Sequence, residues 1–182
     1  IDEHFVLEVS HLGLLGDVLA QVSSDKSFET QAIRFIAGKN AHDLRRLCQE
    51  YGADENKIAM LEAFITTYGE RGKVIAALKE VSASHMVSEL EALSHMLEHS
   101  PYSDRIHFDF SVVNDMNYYN HFAFRGFLDG VCESVLSGGQ YDKLMKKMHR
   151  KSGAIGFAVY LDVLERLNNQ SHLRNLYIHT ND

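Results

Sequence analysis

The chain has 182 residues, of which 45% are hydrophobic and 24% charged, and its formal net charge at pH 7 is −7. This composition is typical of a folded globular protein and excludes a disordered chain, while the negative charge disfavours binding to nucleic acid. No apolar run approaches the roughly 20 residues that span a bilayer, so the sequence predicts no membrane helix.

The first hundred residues predict one strand followed by a helical stretch. His4–Ser10 alternates between apolar and other side chains, as a strand with one buried face does. From residue 13 to residue 100, apolar residues recur at the three- and four-residue spacing of amphipathic helices, which predicts five or six short helices. Each of three glycines follows a periodic segment and marks a predicted helix end: Gly38, Gly52 and Gly69.

A change of period follows Pro101, which disfavours a helical conformation at the residue before it. Apolar and polar residues then alternate from Ile106 to Val112, predicting a strand. A turn at Asp129-Gly130 predicts a hairpin. The predicted strands on its two sides are Tyr118–Leu128 and Glu133–Leu136, and the later elements are a helix over Tyr141–His149, a strand over Ala154–Tyr160 and a helix over Leu161–Leu167.

Together these elements predict an α+β fold in which helices are grouped on one side of an antiparallel sheet. We expect residues 1–12 and 101–168 to form the core and residues 13–100 to form a helical insertion. Residues 169–182 are then a C-terminal tail. Two cysteines, Cys48 and Cys132, have neither disulfide nor zinc spacing, which favours a reducing, cytoplasmic location.

The segment His95–His99 matches H-x-x-E-H, a pattern that places two imidazoles on one helix face beside a carboxylate. The chain contains 11 histidines, so such pairs arise by chance, and the motif lies at the end of an amphipathic helix. We therefore interpret it as an exposed helix end and predict no metal site.

Ser137-Gly138-Gly139 has two interpretations. Adjacent glycines allow the backbone to approach a ligand closely, and they also occur in ordinary loops, which is the interpretation that the segment alone favours. Tyr118 and Tyr119 also have two interpretations, as pocket residues or as core residues. A strand places one inward and one outward, so at least one is expected to be a core side chain.

Three segments in this order resemble the histidyl-tRNA synthetase-like branch of the class II aminoacyl-tRNA synthetases. In that family the motifs read roughly R-G-x-D-Y-Y-T-G-x-V-F-E, G-G-R-Y-D and G-F-A-x-G-x-E-R-L. The corresponding segments here are NDMNYYNHFAFR over Asn114–Arg125, GGQYD over Gly138–Asp142 and GFAVYLDVL over Gly156–Leu164. The resemblance implies the catalytic-core sheet of that class, represented by the part of the domain after the second class II motif.

By this resemblance, five residues line a histidine-type pocket: Tyr118, Tyr119, Gly138, Gly139 and Tyr141. Four positions depart from the synthetases: Asn114 and Val163 replace arginines, Gln140 replaces the arginine of G-G-R-Y-D, and Asn117 replaces an aspartate. Arg125 stands at the position where the family motif ends in glutamate. Losing forked arginine charges removes the stabilisation that adenylate formation needs, so we predict no catalytic residue and no cofactor.

The resemblance therefore implies a non-catalytic regulatory subunit of ATP phosphoribosyltransferase, a member of this family that pairs with a catalytic subunit in histidine biosynthesis. Its expected partners are that catalytic subunit and histidine, within a homodimer or a larger hetero-oligomer. Two alternatives stay open: a divergent histidyl-tRNA synthetase that activates histidine with ATP, and a structural domain without a ligand.

Overall fold

The computed structural model describes residues 4–81, 85–113, 119 and 121–166, and they form an α+β fold. One strand and six helices occupy the first half, as predicted: β1 (Phe5–His11), α1 (Leu12–Val22), α2 (Lys26–Ala37), α3 (Ala41–Glu50), α4 (Glu55–Thr66), α5 (Arg71–Val81) and α6 (His85–Leu97), with a short strand β2 (Gly69–Glu70) before α5. The second half contains β3 (Ile106–Phe108), β4 (Phe122–Leu128), β5 (Leu136–Gln140), α7 (Asp142–Lys147) and β6 (Ile155–Val159). Residues 161–166 are helical.

The six described strands form one sheet in the order β2-β3-β1-β4-β5-β6. All neighbours are antiparallel except β1 and β3, which run parallel with Leu7 opposite Ile106. A parallel pair needs a long crossover connection, and the helical stretch between β1 and β3 provides it. The predicted boundaries of the core and the insertion remain a prediction.

Side-chain caps explain where several helices begin. Asp25, Asn40 and Asp54 each precede a helix and accept a hydrogen bond from a backbone N–H of its first turn. These residue types are preferred at this position because the first N–H groups of a helix have no partner within it. Gly52 and Gly69 have positive φ values of 74° and 104°, which fits their predicted place after helices α3 and α4.

One apolar cluster joins the helices to the sheet. It contains Val9 of β1 and Phe108 of β3 together with buried residues of all six helices. The ring centroids of Phe64 and Phe110, two members of this cluster, lie 4.6 Å apart. Because these residues are removed from water together, the helical stretch and the sheet stabilise each other.

The third strand is shorter than predicted. β3 ends at Phe108, whereas the alternation predicted a strand to Val112. Asp109 is only 3% exposed; its carboxylate accepts a hydrogen bond from the Ser111 N–H at 2.8 Å and lies 2.6 Å from Lys39 Nζ. The local side-chain bond turns the backbone out of the strand, because it offers the N–H an alternative to a neighbouring strand.

The hairpin of β4 and β5 forms, but its strand limits differ from the prediction. β5 begins at Leu136 rather than Glu133, and Ser137, Gly138 and Gly139 lie within it, so the predicted loop is wrong. Antiparallel pairing with β4 on one side and β6 on the other satisfies this backbone. Of the predicted strand over 118–128, residue 118 lies outside the described residues and β4 covers Phe122–Leu128.

β6 is an outer strand with apolar side chains in solvent. Ile155 is 70% exposed and Phe157 66% exposed, and no described strand pairs with the far side of β6. The predicted helix end at His95–His99 also faces solvent, since α6 ends at Leu97. Among the described residues, no helix has both the length and the apolar character required to cross a bilayer.

Candidate functional site

Small residues lie opposite one another on three neighbouring strands, so a strip of one sheet face has almost no side chains. We call this face the tyrosine face. Ala123 of β4 pairs with Gly139 of β5, and Gly139 pairs with Gly156 of β6. A Cβ atom at Gly139 would lie 2.6 Å from the Cγ atom of Tyr119, and one at Gly156 would lie 3.0 Å from the ring of Tyr141. The glycines are therefore required for the two rings to lie against the strands.

The two tyrosines contact each other above this strip. The ring centroids of Tyr119 and Tyr141 are 5.1 Å apart, with an angle of 53° between the ring planes. This separation and tilt are typical of a favourable aromatic pair. The structure thus brings together three of the residues that the resemblance assigned to one pocket: Tyr119, Gly139 and Tyr141.

Gly138 lies on the opposite sheet face. A Cβ atom there would lie 2.5 Å from the Phe124 ring and 2.4 Å from the Gly156 carbonyl oxygen. Close packing within the protein is thus sufficient reason for glycine at this position. Tyr118, the remaining predicted pocket residue, lies outside the described residues, as do Asn114 and Asn117.

Two of the positions at which an arginine is replaced, Gln140 and Val163, lie within the described residues. The Gln140 side chain donates from Nε2 to Oδ2 of Asp142 at 2.7 Å, and the other carboxylate oxygen of Asp142 accepts the Ala154 N–H. Val163 is buried in the helical residues 161–166 and is 5% exposed. Neither an amide engaged in this way nor an apolar side chain can replace an arginine at a phosphate.

The nearby Arg166 is also occupied. Its two terminal nitrogens lie 2.8 and 3.2 Å from the two carboxylate oxygens of Glu133. The hydrogen bond from Arg166 holds the pKa of Glu133 below its ordinary value. This guanidinium is therefore committed to a carboxylate of the same chain.

A small cavity of about 50 Å³ adjoins the tyrosine face. Its walls include Tyr119, Arg125, Ser137 and Tyr160, and the hydroxyl oxygens of Ser137 and Tyr160 are 2.6 Å apart. Small-molecule sites usually measure roughly 300–1,000 Å³. As the described residues stand, the cavity accommodates one small polar group rather than a whole amino acid.

Sequence reasoning missed a charged row beside the strip. Glu8 of β1 lies directly across from Arg125, and burial raises the pKa of Glu8, with a further contribution from the charge of Asp109. Lys39, which pairs with Asp109, also lies 3.6 Å from the centroid of the Tyr68 ring. The alternation of β1 does place Glu8 on the less apolar face, but it gives no indication that distant charges meet there.

No metal site is evident in the described part of the chain, where no three histidine, cysteine or acidic side chains are grouped suitably. In the H-x-x-E-H segment, His95 Nδ1 lies 3.1 Å from a Glu98 carboxylate oxygen, and the two histidine ring centroids are 6.3 Å apart. These groups contact one another on the surface.

Comparison with known proteins places this geometry in context. A sequence model of the histidyl-tRNA synthetase family matches residues 2–164. An ATP phosphoribosyltransferase regulatory subunit of Lactococcus lactis subsp. cremoris (strain SK11) is 30% identical over 154 residues, covering 69% of this chain and 48% of the relative.

Solved structures agree with the sequence match. A crystal structure of an ATP phosphoribosyltransferase regulatory subunit/histidyl-tRNA synthetase from Bacillus halodurans C has a TM-score of 0.78 at 25% identity, covering 89% of this chain and 44% of the other. The ATP phosphoribosyl transferase (HisG:HisZ) complex from Thermotoga maritima shares the fold, with a TM-score of 0.66 at 17% identity over 88% of this chain and 55% of that one. The chain thus spans about half the length of these relatives.

Proposed function

The chain belongs to the histidyl-tRNA synthetase family, and from this premise we propose that it acts as a non-catalytic regulatory subunit of ATP phosphoribosyltransferase. The fold is the α+β sheet of histidyl-tRNA synthetase-like structures. In this proposal the synthetase site has lost its chemistry, and the domain serves to bind and regulate a catalytic partner.

The observation that carries the proposal is the surroundings of Val163. This position, at which the synthetases have an arginine, is buried and apolar, and the nearest arginine in sequence, Arg166, is paired with Glu133. Transition-state charge on a transferring phosphoryl group needs fixed cationic donors, which these residues do not supply. Several relatives that match this chain are named as ATP phosphoribosyltransferase regulatory subunits, which supports the choice of partner.

Tyr119 and Tyr141 form the retained part of the pocket. Their rings lie against Gly139 and Gly156, and the described residues beside Tyr119 enclose a cavity of only about 50 Å³. We propose that histidine binding, where it occurs, requires these rings to move. A protein of this kind would report on a ligand through the packing of its aromatic rings rather than by activating it.

The test uses the complete polypeptide that contains these residues together with the catalytic ATP phosphoribosyltransferase subunit of the same source. We expect the two to co-purify and the phosphoribosyl-transfer rate to change with the amount of added chain until it saturates. An unrelated protein of similar size and charge serves as the control.

Two outcomes would contradict the proposal. One is the absence of both a complex and any rate change. The other is histidine-dependent exchange of pyrophosphate into ATP, because this exchange reports adenylate formation and would identify a divergent histidyl-tRNA synthetase instead.

A further inference from the structure

Arg125 has an unusual position for a charged side chain. It lies in the middle of β4, half-buried, on the same face as Ser137 of β5 and Glu8 of β1. By contrast, Arg45 and Arg166 each form hydrogen-bonded pairs with glutamates. Within the described part of the chain, Arg125 forms neither an ion pair nor a side-chain hydrogen bond.

The groups around Arg125 are arranged for an acceptor. The cavity beside it is lined by the hydroxyl-bearing residues Ser134, Ser137 and Tyr160. Ser137 lies directly across the strand pair from Arg125 and contacts the Tyr160 hydroxyl. A guanidinium has five N–H donors and no acceptor, so this part of the cavity has an excess of donors over acceptors.

The neighbouring acidic groups do not contact the Arg125 guanidinium. Glu8 is the residue across from Arg125, yet the two side chains form no ion pair; burial raises the pKa of Glu8, and the charge of Arg125 opposes that shift without direct contact. Asp109 is paired with Lys39 on the far side of β1. A half-buried guanidinium that no carboxylate contacts directly attracts an anion more strongly than an exposed one, because water screens it less.

We propose that Arg125, with the hydroxyls of Ser137 and Tyr160, forms a binding site for one oxyanion group of a small ligand. A planar guanidinium fork matches both carboxylate and phosphate, and the cavity of about 50 Å³ suits a single group of this kind. The synthetase motif ends in glutamate at this position, which would repel an anion. Arg125 therefore reverses the charge preference of this part of the site.

The site belongs to this chain alone, so it goes beyond the proposed regulatory function and does not require the catalytic partner. The ligand class is an acid: a carboxylate of an amino acid or related metabolite, or a phosphate ester. Separate measurements with the two anions distinguish these sources.

The experiment measures the melting temperature of the purified protein in increasing sodium phosphate or sodium acetate, with sodium chloride at matched ionic strength as the reference. A ligand that binds only the folded state raises the melting temperature in a saturable way. We expect one of the two oxyanions to raise it beyond the chloride reference, and the anion that does so identifies the source.

Arg125→Gln should weaken the apparent anion affinity by about tenfold or more, because it removes a forked ionic contact. Arg150→Gln is the matched control, since Arg150 is an exposed arginine far along the chain from β4. It should retain the affinity of the unaltered protein. Equal responses of the Arg125→Gln variant and the unaltered protein would overturn the proposal.

Two further variants keep the test decisive if Arg125→Gln does not fold. Ser137→Ala and Tyr160→Phe each remove one hydroxyl and should weaken binding severalfold while Arg125 remains. Binding unchanged in both, or no saturable response to either anion in the unaltered protein, would also reject the site. The proposed function is separable, because Arg125→Gln should still co-purify with the catalytic subunit.

Discussion

His11 connects the end of β1 to two helices through its two ring nitrogens. Its Nδ1 accepts the Leu14 N–H at 3.1 Å and caps α1, and its Nε2 lies 3.0 Å from a carboxylate oxygen of Glu89 on α6. A backbone N–H can only donate, so the proton of the neutral imidazole is on Nε2 and is donated to Glu89. Adding a second proton at Nδ1 would remove the cap.

Stability should therefore decrease on acidification through this histidine. Burial lowers the pKa of His11, against a smaller opposing effect of its hydrogen bond to Glu89; the other histidines near that carboxylate are His121 and His85. The unfolded chain then takes up the proton more readily, so stability is present above about pH 6.5 and is lost as the pH falls below it. The hydrogen bond from His11 also lowers the pKa of Glu89, which adds a loss at lower pH.

His11→Asn tests this assignment, because asparagine caps helices well but does not titrate. We expect the melting temperature of the unaltered protein, followed by circular dichroism, to fall between about pH 7 and pH 5, and the variant to show a shallower fall. His42→Asn, at an exposed histidine of α3, is the control and should leave the slope unchanged. Parallel curves for His11→Asn and the unaltered protein would refute the role of His11.

A methyl group at Gly139 should cost stability through Tyr119. A Cβ atom there would lie 2.6 Å from the ring and 2.7 Å from the Phe122 carbonyl oxygen, and overpacking of this kind costs roughly 1–3 kcal/mol. We expect Gly139→Ala to lower the free energy of unfolding in urea by this amount.

Gly72→Ala is the matched control for that variant. A Cβ atom at Gly72, in α5, meets only the Glu70 side chain at 3.9 Å, so alanine there should stabilise the helix by roughly 0.5–1 kcal/mol. Adding Tyr119→Ala to Gly139→Ala should reduce the cost of the methyl group. If the cost of the methyl group is independent of Tyr119, the ring contact does not explain the glycine.

At the scale of single elements, the ion pair of Lys39 and Asp109 links the end of α2 to the end of β3. Lys39 has a positive φ of 51°, and its ammonium group reaches a carboxylate that is almost fully buried. The pair therefore fixes the path of the chain after α2 against the sheet. The same carboxylate accepts the Ser111 N–H, which ends the third strand earlier than the apolar alternation predicts.

Lys39→Met should destabilise the protein by leaving the Asp109 charge without its partner. Removing one member of a buried pair costs about 3–5 kcal/mol, and the partial exposure of Lys39 reduces our expectation to roughly 1–3 kcal/mol. Lys26→Met, in the exposed Lys26–Glu29 pair, should change stability by less than about 0.5 kcal/mol.

Urea unfolding of the two lysine variants distinguishes these cases. Adding Asp109→Asn to Lys39→Met should recover part of the loss, since the neutral side chain still accepts the Ser111 N–H. Equal losses for Lys39→Met and Lys26→Met would contradict a buried role for the pair.

Sequence periodicity predicted the elements better than their limits. The alternation near Phe5 and the helical spacing up to Leu97 reflect local burial, and the elements predicted from them are observed as β1 and the six helices. The end of β3 depends instead on the Asp109 side chain, which accepts the Ser111 N–H and pairs with Lys39, distant in sequence. Gly138 and Gly139 are glycines because neighbouring backbones and the rings of Phe124 and Tyr119 occupy the space that their side chains would need. The distant partners, Lys39 in the first case and the aromatic rings in the second, are not visible in a local pattern.

The same limit applies to the candidate site. The family motifs keep Tyr119, Gly139 and Tyr141 in a fixed order, and these three residues lie together; their role in a histidine pocket stays a prediction. The surroundings of Arg125 could not be predicted, since they depend on Glu8 and Ser137 from neighbouring strands. Comparison with the family motif shows which side chain has been replaced, whereas only the fold shows which groups surround the new side chain.

At the scale of the whole molecule, the two described edges of the sheet differ. β2 is a two-residue strand, too short to pair extensively, whereas β6 presents five residues with exposed Ile155 and Phe157. A long edge with apolar side chains is a template for pairing with another chain. We therefore expect the isolated chain to self-associate as its concentration rises.

Ile155→Lys or Phe157→Lys should weaken that self-association, because a lysine on an edge strand opposes pairing by charge and hydration. Sedimentation velocity over a range of concentrations provides the measurement. Met96→Lys is the control, since Met96 is as exposed as Ile155 but lies on α6. Weakening of similar size by Met96→Lys would show that general surface charge, rather than the edge, is responsible.

The parallel pairing of β1 with β3 also sets the order in which the protein can form during synthesis. Leu7 of β1 cannot pair with Ile106 of β3 until the ribosome has synthesised about a hundred further residues. At roughly 5–20 residues per second this takes about 5–20 s. Helices can form locally within that time, but among the described strands β1 has no partner until β3 emerges. Folding of this chain is therefore governed by a contact between distant segments, which favours slow folding and gives chaperones an interval in which to bind β1.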